Sequence, residues 1–289
     1  MKNVLLLALV AFGLNSAAQK TAVKVSFQKG QKLEMVGQTN AVVTQEIMGN
    51  AMEMKINSTI TRSFDVEDVA ANNAIIEHKV KRVQFNFEGM GQSQNFDSEK
   101  EEDMNGEMGK SVEKTIKNKY KMTVDQAGNV VSVKQDDDNP NPTGNNESAD
   151  MMSQMMSQFA EGLEVPKAGD KTAFNVLPAG GVTKGQSWTD SLTTGEKGFV
   201  KYTVSDINNS EVIIDYSAEG TLTKTQDAMG TIATVNMKSK TSGTITVDRK
   251  TGLLKQKTIL GEGKGAVEVA GQSIPMTTKV SGTIAVKAL

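Results

Sequence analysis

The sequence has no cysteine, a single histidine (His78), a single tryptophan (Trp188) and only 4% aromatic residues. Without cysteine there is no disulfide, no zinc–thiolate centre, no cysteine nucleophile and no lipid anchor through a cysteine. One histidine means that any Ser–His–Asp machinery has to converge on His78, and it leaves a transition-metal site short of ligands. Scarce aromatics remove the stacking platforms that sugar and single-strand nucleic-acid surfaces need. Charge excludes further classes. Thirty-two Lys and Arg against 34 Asp and Glu give a net charge of −2. Neither a polyanion-binding surface nor a basic membrane patch follows, so nucleic acid is not an expected partner. No cofactor is implied.

What is present begins with an export signal. Lys2 supplies a positive start, Val4 to Leu14 an apolar run, and Ser16-Ala17-Ala18 a small-residue cleavage site, so residues 1–18 read as a signal peptide. The apolar run is too short to cross a bilayer as a helix, and no later stretch is apolar enough for a transmembrane segment. The expected location is the periplasm or the exterior. Removing 18 of 289 residues leaves 271, enough for one large domain or two modest ones.

Most of that length alternates with the period of a β-strand. Val23, Val25 and Phe27 share one face of a short strand over Ala22–Gln28. Met52, Met54, Ile56, Ile60, Phe64 and Val66 share one phase of a long antiparallel strand, and Asp65–Asn73 reads as the connection after it. Ala74–Phe87 is the next long strand, with a phase change that predicts a bulge near Lys81-Arg82. Met104, Met108, Val112 and Ile116, four residues apart, predict a helix over about 103–118, weakened by Gly106 and Gly109. Tyr120–Lys134 reads as a hairpin around Asp125–Gly128. The second half predicts strands at Ser187–Thr193, Phe199–Asp206, Val212–Lys224, Thr231–Met237, Gly243–Asp248, Leu253–Leu260, Ala266–Ala270 and Ser273–Val286. Pro275 suits an edge better than a sheet centre.

Between these halves lies an acidic, Pro- and Asn-rich linker, Asp136–Glu147, followed by a methionine-rich run. At 100° per residue Met152, Met156, Phe159 and Leu163 fall in one arc with Met155 at its edge, which predicts an amphipathic helix over about 148–163. Burying such a face is worth roughly 1.5–3 kcal/mol per large side chain, so the helix must lie on something. Two readings stand: a helix closing a core, or a flexible methionine wall over an apolar ligand. In the second, Met152, Met155, Met156, Phe159 and Leu163 are the candidate ligand-binding residues.

Two motifs recur in the same order. Lys29-Gly30-Gln31 is matched by Lys184-Gly185-Gln186, and Thr123-Val124-Asp125…Gly128 by Thr246-Val247-Asp248…Gly252. Their order points to an internal duplication. The organisation predicted is therefore a signal peptide at 1–18, an N-terminal β half with a helical insertion at 19–135, a linker and Met-rich helix at 136–165, and a C-terminal β half at 166–289. Phe27-x-Lys29-Gly30-Gln31, Phe96-Asp97-Ser98, the Val124-Asp125…Gly128 hairpin and Lys184-Gly185-Gln186-Ser187-Trp188 carry a resemblance to an exported bacterial family of uncharacterised proteins, the domain of unknown function 6263. These are turns and strand starts, so the resemblance implies fold and export and brings no active site.

Other constellations point to no chemistry of their own. His78 reads as a strand histidine near a solvated edge, with no nucleophile elbow to serve. Asp136-Asp137-Asp138 is interrupted by Pro140 and Pro142 and lacks the closing glutamate of a calcium loop, so no metal site is expected. Glu99–Asp103 supplies negative charge to a helix N-terminus. Gly261, Gly263 and Gly265 precede no helix and so do not cradle phosphate; their alternation marks a bent strand or a bulge.

The fold class expected is mainly β: long antiparallel strands in two related halves forming one or two strongly twisted sheets, with two short covering helices. This plan resembles, at the level of fold, envelope lipid carriers with a curved sheet and a helical lid. The function expected is that of an exported, non-enzymatic envelope protein binding a lipid or other apolar or amphipathic ligand between sheet and Met-rich helix. The alternative is a structural or interaction protein with a fully packed core and no ligand; an enzyme ranks third.

Overall fold

The computed structural model describes residues 20–135 and 165–289, apart from positions 22, 48, 90, 179, 193–195, 229 and 230. The expected signal peptide, the acidic linker and the Met-rich run with its expected helix lie outside the described residues. In chain order the elements are β1 (Lys32–Ile47), β2 (Asn50–Ala70), β3 (Asn73–Gly89), β4 (Gln92–Asp97), α1 (Glu101–Asn105), α2 (Glu107–Lys117), β5 (Lys119–Val124) and β6 (Val130–Gln135). The second half supplies β7 (Ser187–Ser191), β8 (Glu196–Ile207), β9 (Glu211–Ala228), β10 (Thr231–Asp248), β11 (Leu254–Val269) and β12 (Gln272–Ala288).

All twelve strands belong to one antiparallel sheet, of order β6-β5-β3-β2-β1-β12-β11-β10-β9-β8-β7, with β4 attached to β3. Each half is a meander, and the first strand of the chain pairs with the last, from Leu33↔Ala288 to Gln45↔Met276. The order is thus cyclic, interrupted at one seam between β6 and β7. β6 and β7 run in the same direction, because the path between them holds an odd number of strands.

The sheet curls so that both of its edges reach one core. A single buried cluster takes Tyr120, Met122 and Val130 from one edge, Val204 and Ile214 from the other, and Leu33, Met35, Ile245 and Ile284 from the middle. These residues lie where β1, β3, β6, β9 and β11 begin and β2, β5, β8, β10 and β12 finish, which is one end of the sheet (the core end). Two irregular segments plug it. Val25 and Phe27 come from the N-terminal stretch, Phe174 and Val182 from residues 165–186. Phe174 packs edge-on against Phe27 and Phe64, with ring centroids 5.4 and 5.3 Å away. The stretch 23–28 alternates in burial as the sequence predicts, but it is not a strand. Its amides bond to turns instead: Val25 N–H donates to the Gln126 carbonyl and Ser26 N–H to the Thr251 carbonyl.

A second cluster lies farther out on the first half, where Val112 of α2 meets Ala41, Ile56, Ile60, Val83, Phe85, Phe87 and Phe96, with Met104 and Met108 packed alongside. The helix predicted over 103–118 forms in two pieces. Gly106 adopts extended backbone (φ −72°, ψ 176°) and separates α1 from α2. A Cβ at Gly109 would lie 2.3 Å from the Met104 carbonyl oxygen, so this break needs glycine there. Glu101, Glu102 and Asp103 occupy the first turn of α1, as predicted for a negative N-terminus.

Several strand boundaries move. β2 runs on through the expected connection to Ala70, and the turn is Ala71-Asn72, both with positive φ (47° and 75°), the hairpin geometry that matches strand twist. The expected pairs of strands at 231–248 and at 253–270 are each one continuous strand, β10 and β11. The predicted bulge at Lys81-Arg82 is present: Thr61 pairs with Arg82 but Arg62 with Val80. Pro275 lies on a central strand, yet its only recorded partner is Ala266; pairing with β1 stops one residue later, at Met276. The missing N–H is thereby spared a ladder position.

Several hydrogen bonds and ion pairs recur at matching positions of the two parts of the chain. Gly30 (φ 80°) and Gly185 (φ 82°) donate their N–H to Val66 and Val204, whose own N–H groups donate to the carbonyls of Gln31 and Gln186. The Gln31 and Gln186 side chains accept from Gln28 and Thr183 N–H. Lys29 pairs with Asp68 at 3.0 Å and Lys184 with Asp206 at 2.8 Å, each carboxylate sitting just past a register shift. Asp125 and Asp248 cap equivalent turns; against the opposing effect of burial, backbone and side-chain N–H groups of Asn129 and the Ala127 N–H hold the Asp125 carboxyl below the usual range, and the Thr251 hydroxyl with the Thr251 and Lys250 N–H groups does the same for Asp248. In this correspondence β1, β2 and β3 match β7, β8 and β9, while β5 and β6 match the end of β10 and β11. The place between β6 and β7 matches the place that β12 fills between β11 and β1.

Candidate functional site

The long strands are amphipathic across their thickness. One face, turned away from the core clusters, is mainly polar: Ser217, Glu219, Thr221 and Thr223 on β9, Lys238, Lys240 and Ser242 on β10, Glu262 and Lys264 on β11, Thr277, Lys279 and Ser281 on β12, with Ile232 and Leu260 as exposed apolar exceptions. A membrane-spanning barrel needs the reverse, an apolar band outside. The other, inner face changes character along its length. At the core end it is packed. Beyond that, on β9–β12, it carries Leu222, Met237, Val235, Val267, Ile274, Met276 and Val280. All of these but Met276 are half-exposed. The equivalent region of the first half is covered by α2, whose Val112 shares a cluster with Ala41, Ile56, Ile60 and the phenylalanines of β3 and β4.

Glycines floor this region. Because strand side chains alternate, Gly261, Gly263 and Gly265 all fall on the inner face of β11, joined by Gly220 on β9, Gly243 on β10 and Gly282 on β12. The register of β10 with β11 runs unbroken from Ala233↔Val269 to Ser242↔Leu260, so the glycine run is not a bulge. A Cβ at Gly243 or Gly265 would lie 1.9 Å from a carbonyl oxygen of the neighbouring strand, whereas at Gly261 the nearest atom is the Thr241 hydroxyl at 3.3 Å. The first two therefore permit close approach and curvature of the backbone; at Gly261 a Cβ would ask only for a small shift of the Thr241 hydroxyl.

Methionines collect at the far end of this face. Met54 of β2, Met237 of β10 and Met276 of β12 sit there, with Gln45 Nε2 3.8 Å from Met276 Sδ and Thr278 Oγ1 3.6 Å from Met237 Sδ. Met152, Met155, Met156, Phe159 and Leu163, the predicted ligand wall, lie outside the described residues, so the site stands on the sheet alone. The signal that marks Met54, Met237 and Met276 in the sequence is strand phase: each shares the apolar phase of its own strand.

Deeper in, the inner face carries polar groups. His78 is not at a solvated edge. It is 1% exposed, stacked on Tyr120 at 4.6 Å and edge-on to Phe64 at 5.0 Å. Neither of its ring nitrogens has a hydrogen-bond partner among the described residues. Burial, helped by the charge of Arg62, pulls its pKa down to about 3, so the ring is neutral. Burial also pushes the Tyr120 phenol up to about 12. Buried Arg62 reaches Met35 Sδ with Nη2 at 3.2 Å. Farther round, Trp188 stacks on Tyr202 at 5.2 Å and Tyr202 lies 6.4 Å from Tyr216, over whose ring Lys257 Nζ stands at 5.7 Å. Trp188 is half-buried and packs against the main core cluster. No cluster of three or more metal-ligating side chains occurs among the described residues, and no described helix is long and apolar enough to cross a membrane.

The class that this fold and face define is an amphipathic, curled antiparallel sheet with a packed end and an apolar, half-exposed inner wall. Residues 71–254 match the model of a family of unknown function, DUF6263. The chain belongs to that family. No curated protein matches it. Among solved structures it is similar to one of lipid–protein interactions in lipovitellin, with 9% identity and a TM-score of 0.49 over 91% of this chain; the match spans 25% of the lipovitellin chain. It is also similar to an outer membrane channel from Pseudomonas putida F1, with 7% identity and a TM-score of 0.27 over 91% of this chain and 97% of the channel. Likenesses this distant carry no functional argument.

Proposed function

We propose that the protein is an exported, non-enzymatic protein of the cell envelope that holds an apolar or amphipathic ligand against the inner face of β9–β12. One observation carries this reading. Leu222 and Met237, in register with Gly265 and Met276, lie beside the row Val235, Val267 and Ile274 on the inner face, half-exposed except for Met276 and flanked by Lys224 on β9, while the opposite face of the same strands is mainly polar. Apolar surface of that extent on a water-facing protein marks a binding site more often than not. Flexible methionines at its rim suit a guest of variable shape. Export rests on residues 1–18, and the absence of enzymatic function on the shortage of groups for general acid–base or nucleophilic work: one histidine, neutral and enclosed by Phe64 and Tyr120.

The test is native mass spectrometry of protein purified from the envelope without detergent, followed by delipidation and rebinding of a fluorescent fatty-acid analogue. Saturable binding that Met237→Asp abolishes, with an unchanged unfolding midpoint, supports the reading. No bound lipid and no saturable uptake by the delipidated protein rejects it in favour of a protein whose core is simply packed.

A further inference from the structure

Along β8–β12 lysines and carboxylates alternate in residue order, and strand pairing sorts them on the outer face. Lys197, Thr221, Lys238, Lys264 and Thr277 stand in one row across the sheet, with no carboxylate among them. The next row, Phe199, Glu219, Lys240, Glu262 and Lys279, mixes both signs. The row after it, Lys201, Ser217, Ser242, Leu260 and Ser281, has a lone lysine. One more row on either side adds only Asp215, opposite Thr203 and Thr244, since Thr223, Asn236, Ala266 and Pro275 are uncharged. These five rows therefore set six lysines against Asp215, Glu219 and Glu262. Nearer the core end Asp206 and Glu211 are engaged by Lys184 and Lys255, and at the far end stand Glu268 and Asp227.

All six lysines are exposed, and among the described residues only Lys240 has a carboxylate partner, Glu219 at 3.2 Å. Lys238 and Lys264 stand directly opposite each other, a cross-strand pair of like charge that works against the fold. Sheets break such pairing rules mainly where function asks for it. Two large apolar side chains are open to water in the same band. Phe199, 50% exposed, lies on the outer face of β8 between Lys197 and Lys201, and Leu260, 61% exposed, on that of β11. Strands about 4.8 Å apart put β8 and β11 roughly 14 Å from each other, so both residues reach one surface. Salt screens charges beyond about 10 Å, so this band, and not the net −2 of the chain, decides what meets it.

We propose that the outer face of β8–β12 docks on the surface of an anionic phospholipid bilayer, its lysines against the headgroup charge and Phe199 and Leu260 in the headgroup layer. Basic side chains gain from the negative surface potential, and apolar ones beside them gain from burial at the acyl boundary. The two kinds of side chain together pick the partner. A soluble polyanion matches the lysines but leaves Phe199 and Leu260 in water. An apolar protein surface covers those two but strands ammonium groups against it. A bilayer surface meets both. This band lies on the opposite face of the sheet from the proposed ligand wall, and neither needs the other.

The experiment is co-sedimentation of the protein, purified from the envelope without detergent, with vesicles of phosphatidylcholine alone or mixed with phosphatidylglycerol, at low and high salt. Binding is expected only to the mixed vesicles, and to weaken with salt. Lys238→Gln combined with Lys264→Gln is expected to weaken it roughly 25-fold, about fivefold per lysine. The unfolding midpoint of that variant is expected not to fall, because a like-charge contact is relieved. Lys100→Gln with Lys110→Gln removes the same charge from exposed sites of the helical insertion and is expected to leave binding unchanged. Phe199→Ser with Leu260→Ser is expected to abolish the binding that survives high salt. Equal binding to both vesicle types, equal losses from the two lysine pairs, or binding indifferent to Phe199→Ser with Leu260→Ser overturns the proposal. Salt-sensitive retention on heparin without vesicle binding also overturns it, and assigns the lysines to a soluble polyanion. Each of these outcomes leaves the ligand reading standing.

Discussion

His78 lies flat against Tyr120, ring centroids 4.6 Å apart and planes 23° from parallel, with no described hydrogen-bond partner for either nitrogen. A neutral buried imidazole makes folding depend on pH. Its folded pKa is about 3 against an ordinary value of 6.5, so between those values the unfolded chain binds more protons. Stability is therefore full above pH 6.5 and falls as pH drops toward 3, with a slope of up to about 1.4 kcal/mol per pH unit. Replacing the ring by an apolar one removes both this slope and an unsatisfied polar group. His78→Phe is expected to match or exceed the natural protein in stability at pH 8 and to lead it increasingly at pH 5. Urea titrations at both pH values decide it, and parallel pH profiles of the two proteins would refute it.

Gly30 and Gly185 have φ near 80° and nothing within 4 Å of where a Cβ would stand. Alanine there meets only backbone strain, about 1–2 kcal/mol. Gly30→Ala and Gly185→Ala are expected to lower stability by similar amounts in chemical denaturation, since the two turns share every bond. Gly252→Ala is expected to cost more, because its Cβ would lie 2.6 Å from the Lys24 carbonyl oxygen and displace the N-terminal plug.

Phe174 is 1% exposed and wedged between Phe27 and Phe64. Phe174→Ala is expected to cost about 3–5 kcal/mol, the range for emptying a buried aromatic site. Hydrogen exchange should show the loss at Val130 and Val182 amides, which bond within the same plug. A cost below ~1 kcal/mol would mean that the core end closes without it.

Gly261 offers the mildest place to fill the inner face, with the Thr241 hydroxyl 3.3 Å from its Cβ position. Gly261→Leu is expected to keep the fold and cut uptake of the apolar ligand at least roughly tenfold by filling the inner face of β11. Gly265→Leu, blocked by the Asn236 carbonyl at 1.9 Å, is expected to disturb the sheet itself. Undiminished uptake by a folded Gly261→Leu protein would move the ligand elsewhere.

Strand phase in this sequence is legible because the two faces of the sheet meet different solvents. Met52 to Val66, the bulge at Lys81 and the paired Lys-Gly-Gln turns can be read directly from residue order. Three features resist such reading for physical reasons. Glycine at 261, 263 and 265 looks like irregular backbone, and only pairing with β10 and β12 shows that it lies on one face of a regular strand. His78 sits between Glu77 and Lys79, which suggests water; the charges of those neighbours are engaged on the outer face, Glu77 with Lys79 and with Lys119 at 2.8 Å, while the imidazole turns inward. The expected strand at 22–28 has the right alternation but pairs with turns, a choice made by the tertiary plug rather than by local preference. Of the site, Met54 is legible as a member of the apolar phase of its strand, whereas Met152, Met155 and Met156, the methionines expected to wall a ligand, lie outside the described residues.

The pairing of β1 with β12 brings together segments 231 to 255 positions apart, from Gln45 with Met276 to Leu33 with Ala288. Each meander can zip from its own hairpins, but that central ladder waits for nearly the whole chain, and loop closure over such separations slows folding. Before it forms, β1 and β12 each expose an unpaired edge, the template on which β-proteins aggregate. A chain crossing a membrane N-terminus first would hold β1 in that state until its last residues emerge. The central seam, rather than any turn, is where holding by a chaperone would make the most difference to yield.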